Sequence, residues 1–134
     1  MSEENVEILR AILEAWNRQD FEESVLRYMD PEVEFHPGLL PPGEDTQYVG
    51  REGVMDWARN VNDAWEAVTV EPGQRIDVAS DRILAIDRWR FEGRDGIQVE
   101  EELPTAFTFR DGLIVRVDGF TDKAEALETV GLSE

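Results

Sequence analysis

No cysteine occurs among the 134 residues, so disulfides, thiolate metal sites, iron–sulfur clusters and a cysteine nucleophile are excluded together. Bases are scarce, 13 against 31 acids, and all but Lys123 are arginines. Schiff-base chemistry would therefore rest on one lysine in an expected surface helix. Histidine is scarcer still, with His36 alone. A zinc site thus lacks ligands, no Gly-rich phosphate loop is present, and no cofactor or metal is implied. No apolar run approaches the ~20 residues that cross a bilayer. Met1-Ser2-Glu3-Glu4 has neither the basic start nor the apolar stretch of an export signal, so a cytoplasmic location is expected.

What is there is the composition of a folded chain, 41% apolar and 33% charged, at a length that suits one domain over residues 1–134. The net charge of -18 is spread along it, with acids divided almost evenly on either side of Ala67. Such a field repels phosphate backbones and anionic headgroups, which argues against nucleic acid or membrane as a partner. A neutral or cationic small ligand suits it better.

Apolar residues at spacings of three and four predict a helix over Glu3 to Gln19, capped by Ser2, and a second from Phe21, capped by Asp20 and running to Pro31. Val33-Glu34-Phe35-His36 alternates as a short strand, and Pro37 to Gly43 reads as a partly apolar loop. A third helix is expected from Arg51 to about Ala67. The period then changes to two: Val68–Val70, Arg75–Ala79, Arg82–Glu92, Ile97–Arg110 and Leu113–Thr121 read as strands, with turns at Asp81, Gly93 to Gly96 and Asp111-Gly112. Asp122 and Glu125 form a capping box for a helix over Lys123 to Thr129, stopped by Gly131. Helices followed by an antiparallel sheet make an α+β chain, and a bent sheet wrapped on helices leaves a hollow fit for a small molecule.

Ala106 to Arg116, followed by Phe120 to Glu128 and Gly131-Leu132, resembles the end of SnoaL-like proteins of the nuclear transport factor 2-like superfamily. The helix pair around Asp20, Asp30-Pro31-Glu32-Val33 and Gly50-Arg51-Glu52-Gly53 match the same group. The resemblance implies a cone-shaped, strongly curved antiparallel sheet wrapped around three N-terminal helices, and a fold that commonly dimerises. It leaves activity open, because the superfamily includes isomerases, cyclases, dehydratases, epoxide hydrolases and non-enzymes. Its ketosteroid isomerases place a carboxylate base before a proline at the exit of the first strand, and His36 stands there. Their oxyanion-binding tyrosine and acid fall at Ile12 and Thr105, and several SnoaL-like relatives have a histidine at the latter position.

His36 is thus a candidate proton shuttle, or a strand-end residue that merely bonds a nearby carbonyl. Counting the hairpin about Arg94 sets Asp87 opposite Glu101, so that both carboxylates face inward with Leu103, Thr105 and Phe107. A register one residue away would instead turn Arg88 and Arg90 inward and leave the acids in solvent. Trp16, Trp57 and Trp89, with the phenol of Tyr28, are candidates to line the cavity or to fill a plain core. Two functions remain: a cofactor-free acid–base enzyme of cyclase, isomerase or hydratase type acting on an apolar cyclic or carbonyl substrate, and a non-catalytic protein that binds an apolar small molecule. A homodimer through the outer sheet face is expected from Leu84, Ile86, Ile114 and Phe120.

Overall fold

The first helix, α1 (Glu3–Asn17), buries Ile8, Leu9, Ile12, Ala15 and Trp16 along one stripe. The computed structural model describes residues 3–38 and 48–131, so the Ser2 cap and Leu39 to Gly43 of the expected loop lie outside the described residues. α1 ends where Gln19 takes a left-handed φ of 64°. Asp20 then caps α2 (Phe21–Tyr28), its carboxylate accepting the Glu23 N–H at 3.2 Å. Helical periodicity pointed as far as Pro31, yet strand β1 (Met29–His36) begins two residues earlier. Proline forces its predecessor into extended backbone and has no N–H for the ladder. The register of β1 correspondingly shifts between Met29 and Glu34.

After the short β2 (Tyr48–Val49) and α3 (Gly50–Ala64), four strands follow as a meander: β3 (Ala67–Ala79), β4 (Arg82–Glu92), β5 (Gln98–Arg110) and β6 (Leu113–Gly119). The curved, unclosed sheet has the order β2-β1-β6-β5-β4-β3. Its joins are antiparallel except one. β1 lies parallel to β6, which corrects the expectation of a purely antiparallel sheet. Between those two strands the chain makes a long crossover through α3 and the meander, and such a connection permits parallel pairing. Asp111 and Gly112, both with positive φ, make the tight β5–β6 hairpin.

Alternation sorts the side chains. Val33 and Phe35 of β1, Ile83 and Phe91 of β4 and Leu103 and Phe109 of β5 form the inner core with α1, α2 and α3. Leu84, Ile86 and Ala106 face the other way, where α4 (Lys123–Thr129) covers them with Ala126 and Leu127. The cap of α4 is Asp122, which accepts the N–H of Ala124 at 2.9 Å rather than that of Glu125. This arrangement removes the motive for the expected dimer. Leu84 and Ile86 lie beneath the chain's own terminal helix, Ile114 belongs to the inner core, and Phe120 packs against the outer cluster from the cavity rim.

Candidate functional site

Between the helices and the concave face of the sheet lies a cavity of about 100 Å³. Three indoles from three elements dominate its wall: Trp16 on α1, Trp57 on α3 and Trp89 on β4. Their ring centroids are 5.8 Å (Trp16–Trp57), 5.6 Å (Trp16–Trp89) and 6.5 Å (Trp57–Trp89) apart. Edge-on and tilted pairs of this kind add about 0.5–1.5 kcal/mol each beyond burial, so the tryptophans serve as core and wall together. Trp16 spends its indole N–H on the carbonyl of Val68 at 3.2 Å. Beside it Asn17 clamps α1 to β3, donating to the Val70 carbonyl and accepting the Val70 N–H, each at 2.9 Å.

Leu103, Thr105 and Phe107 line the cavity from β5, and Ile12 lines it from α1. The single charged side chain among the described lining residues is Asp87, 6% exposed. Its Oδ1 accepts two hydrogen bonds, from the Gly73 N–H at 2.9 Å and from Nη1 of Arg75 at 2.5 Å. The β3 backbone places both donors. The register of β3 against β4 shifts between Glu71 and Gln74, so Pro72 and Gly73 together oppose Asp87 as a bulge that aims the Gly73 amide at its carboxylate. A Cβ on Gly73 would sit 2.0 Å from the Ile86 carbonyl oxygen, which only glycine avoids. Asp87 Oδ2 has no hydrogen-bond donor among the described residues. Thr105 lies opposite Ala85, two residues from Asp87 on the same face, so the two residues are diagonal neighbours, a backbone spacing of about 7 Å. Ser24, also in the wall, directs its hydroxyl to the Phe21 carbonyl at 3.0 Å.

The structure therefore brings together Asp87, Thr105, Trp16, Trp57, Trp89, Leu103 and Phe107, and it separates three candidates from them. His36 is not in the cavity wall. Phe35 takes the inward position, and His36 faces outward opposite Asp118 of β6, with its Nε2 buried and without a hydrogen bond. Asp118 there engages Arg116 at 2.9 Å and Arg82 at 3.6 Å, and its hydrogen bond and charge raise the pKa of the Arg116 guanidinium above its ordinary value. Glu101 is exposed and pairs with Trp89, whereas Asp87 pairs with Leu103. The two carboxylates are offset by two residues, about 7 Å along the strands. The reason is the hairpin: Gly93 N–H bonds the Ile97 carbonyl at 2.7 Å, which centres the turn on Asp95 rather than Arg94. Tyr28 packs on the core outside the wall, with the Arg27 guanidinium 5.6 Å from its ring centre. Sequence reasoning missed Arg75 and Gly73. Pro72-Gly73 inside an otherwise alternating stretch was the signal of a bulge.

Among the described residues no three His, Asp or Glu side chains group as metal ligands, and no helix is long and apolar enough to cross a membrane. The sequence model of the SnoaL-like domain matches residues 9–117. No curated protein matches the sequence. Several solved structures share the fold. An NTF2-like protein of unknown function from Burkholderia pseudomallei is 23% identical, with TM-score 0.79, over 98% of this chain and 99% of its own. TerC, co-crystallised with polyporic acid, is 22% identical with TM-score 0.78, covering 95% and 98%. A protein with a ketosteroid isomerase-like fold from Catenulispora acidiphila, in complex with trimethylamine, is 16% identical with TM-score 0.74, covering 94% and 93%.

Proposed function

The chain belongs to the SnoaL-like domain family, and from that premise we propose that it binds a small molecule in the tryptophan-walled cavity, with the polar end of the ligand at Asp87. One observation carries this: in an apolar wall, a buried carboxylate has one oxygen doubly bonded and the other without a donor. That second oxygen is an acceptor that a ligand donor can meet. Fold relatives crystallised with polyporic acid and with trimethylamine support a ligand site in this architecture. Size adds a limit. A dry cavity of about 150 Å³ takes one benzene, so a volume of about 100 Å³ suits a compound of one small ring or less.

The test is a compound screen read by melting temperature and tryptophan fluorescence. Ligands in the cavity raise the former and change the latter, since Trp16, Trp57 and Trp89 form the wall. Thr105→Phe, which fills the cavity from β5, abolishes binding of every hit while the protein stays folded; unchanged binding refutes the site.

A second reading makes the same groups catalytic, and the diagonal placement of Asp87 and Thr105 favours it. Asp87 Oδ2 would take a proton from carbon next to a substrate carbonyl, and the Thr105 hydroxyl would donate to the carbonyl oxygen. Exchange of that carbon-bound hydrogen with deuterated solvent, lost in Asp87→Asn, is the expected signature; bound ligands that never exchange leave the binding function alone. His36 and Glu101 have no part in either reading.

A further inference from the structure

Resting on the reading of the cavity as a ligand site, we propose that its ligand carries a cationic amine head, an alkylammonium whose charge lies between Asp87 Oδ2 and the indole faces.

The argument is electrostatic. The described wall contains one carboxylate and no Lys, Arg or His. The residues outside the description, 1–2, 39–47 and 132–134, include no Lys, Arg or His either. Arg75, the counter-charge of Asp87, is not part of the wall and is bonded through Oδ1. The ion pair therefore presents its negative end, Oδ2, to the cavity and its positive end to the protein beyond it. A cation placed there meets the carboxylate oxygen directly, at low dielectric, with the guanidinium farther off.

The rest of the wall favours the same ligand. Indole is the strongest aromatic partner of a cation, and a cage of aromatic faces with one acid is the arrangement that recognises substituted ammonium groups. Here three indoles, their centroids within 6.5 Å of one another, line the same cavity as that acid. An anionic head is opposed twice, by Asp87 and by the net charge of -18. That same field concentrates cations near the mouth and speeds their capture. A neutral hydroxyl satisfies Oδ2 as a hydrogen-bond donor but gains nothing from the indole quadrupoles.

Three compounds of one shape separate these cases: tert-butylammonium, tert-butanol and pivalate, titrated calorimetrically into the wild-type protein at neutral pH and fixed ionic strength. The ammonium is expected to bind at least about tenfold more tightly than the alcohol, and pivalate not measurably. Asp87→Asn should remove most of the preference for the ammonium over the alcohol. Equal affinity for ammonium and alcohol, or no binding of the ammonium, overturns the amine head. A preference undiminished in Asp87→Asn overturns it too, because the attraction then owes nothing to Asp87. Should Asp87→Asn fail to fold, the wild-type comparison at low and high salt decides alone: a surface effect vanishes at high salt and a cavity effect persists. The cavity reading is judged separately by Thr105→Phe against the screening hits, so either idea can fail without the other.

Discussion

Asp87 is held by two donors at one oxygen, and much of the site's behaviour follows from that asymmetry. Its side chain is 9% exposed and that of Arg75 15%. Removing the acid alone therefore strands a guanidinium out of water. Asp87→Asn should cost about 3 kcal/mol, the lower end for a buried pair because Arg75 keeps some solvent. The double variant Asp87→Leu/Arg75→Met should cost much less than the sum of its single changes. Urea unfolding of the four proteins checks this, and strictly additive costs would mean the pair is not a unit. His36 teaches the opposite lesson at the same scale. Alternation in Val33-Glu34-Phe35-His36 already set the apolar residues on one face and His36 with Glu34 on the other. The position shared with the isomerases pointed inward, and local periodicity proved the better guide.

At the scale of elements, the bulge in β3 ties backbone geometry to the site. Gly73→Ala cannot be accommodated without moving β3 off β4, because the new methyl would meet the Ile86 carbonyl at 2.0 Å. It should cost more than about 2 kcal/mol and release the amide that holds Asp87. Gly96 is the natural control. It sits at φ 88° with nothing within 4 Å of an added Cβ, so Gly96→Ala pays only for the left-handed backbone, about 1 kcal/mol. Equal melting temperatures for the two variants would contradict the close approach. The terminal helix is tested at its cap: Asp122→Ala should cost about 0.5–2 kcal/mol and speed amide exchange in α4. Leu84 and Ile86, which α4 covers, should then bind a hydrophobic dye more readily.

For the whole molecule, charge sets the terms. With 13 bases against 31 acids, more than half of the carboxylates have no cation to pair with. Most arginine pairs are exposed, such as Arg18 with Glu23 and Arg90 with Glu100, and pairs of that kind contribute little. Self-repulsion is then the dominant long-range term, and its reach shortens to about 10 Å at 0.1 M salt. The melting temperature should rise between low and moderate ionic strength. A flat profile would show that local pairing already neutralises the surface.

The sequence alone determined the succession of helices and meander, the ends of β4 and α4, the cap at Asp20 and the Asp111-Gly112 hairpin, because each depends on contacts within a few residues; it missed β2 and read the single strand β3 as two, Val68–Val70 and Arg75–Ala79. It also put Leu103, Thr105 and Phe107 on one face, since strand alternation needs no partner. Which residue stood opposite Asp87 was a different kind of fact. A turn centred one residue along moved the pairing by two, replaced Glu101 by Leu103, and left the carboxylate to the Gly73 amide and Arg75. The parallel join of β1 to β6, the cover that α4 lays over Leu84 and Ile86, and the meeting of Trp16, Trp57 and Trp89 were likewise decided by tertiary structure. Each is a contact between segments far apart in the chain, and local periodicity holds no information about which distant segment fills a given face.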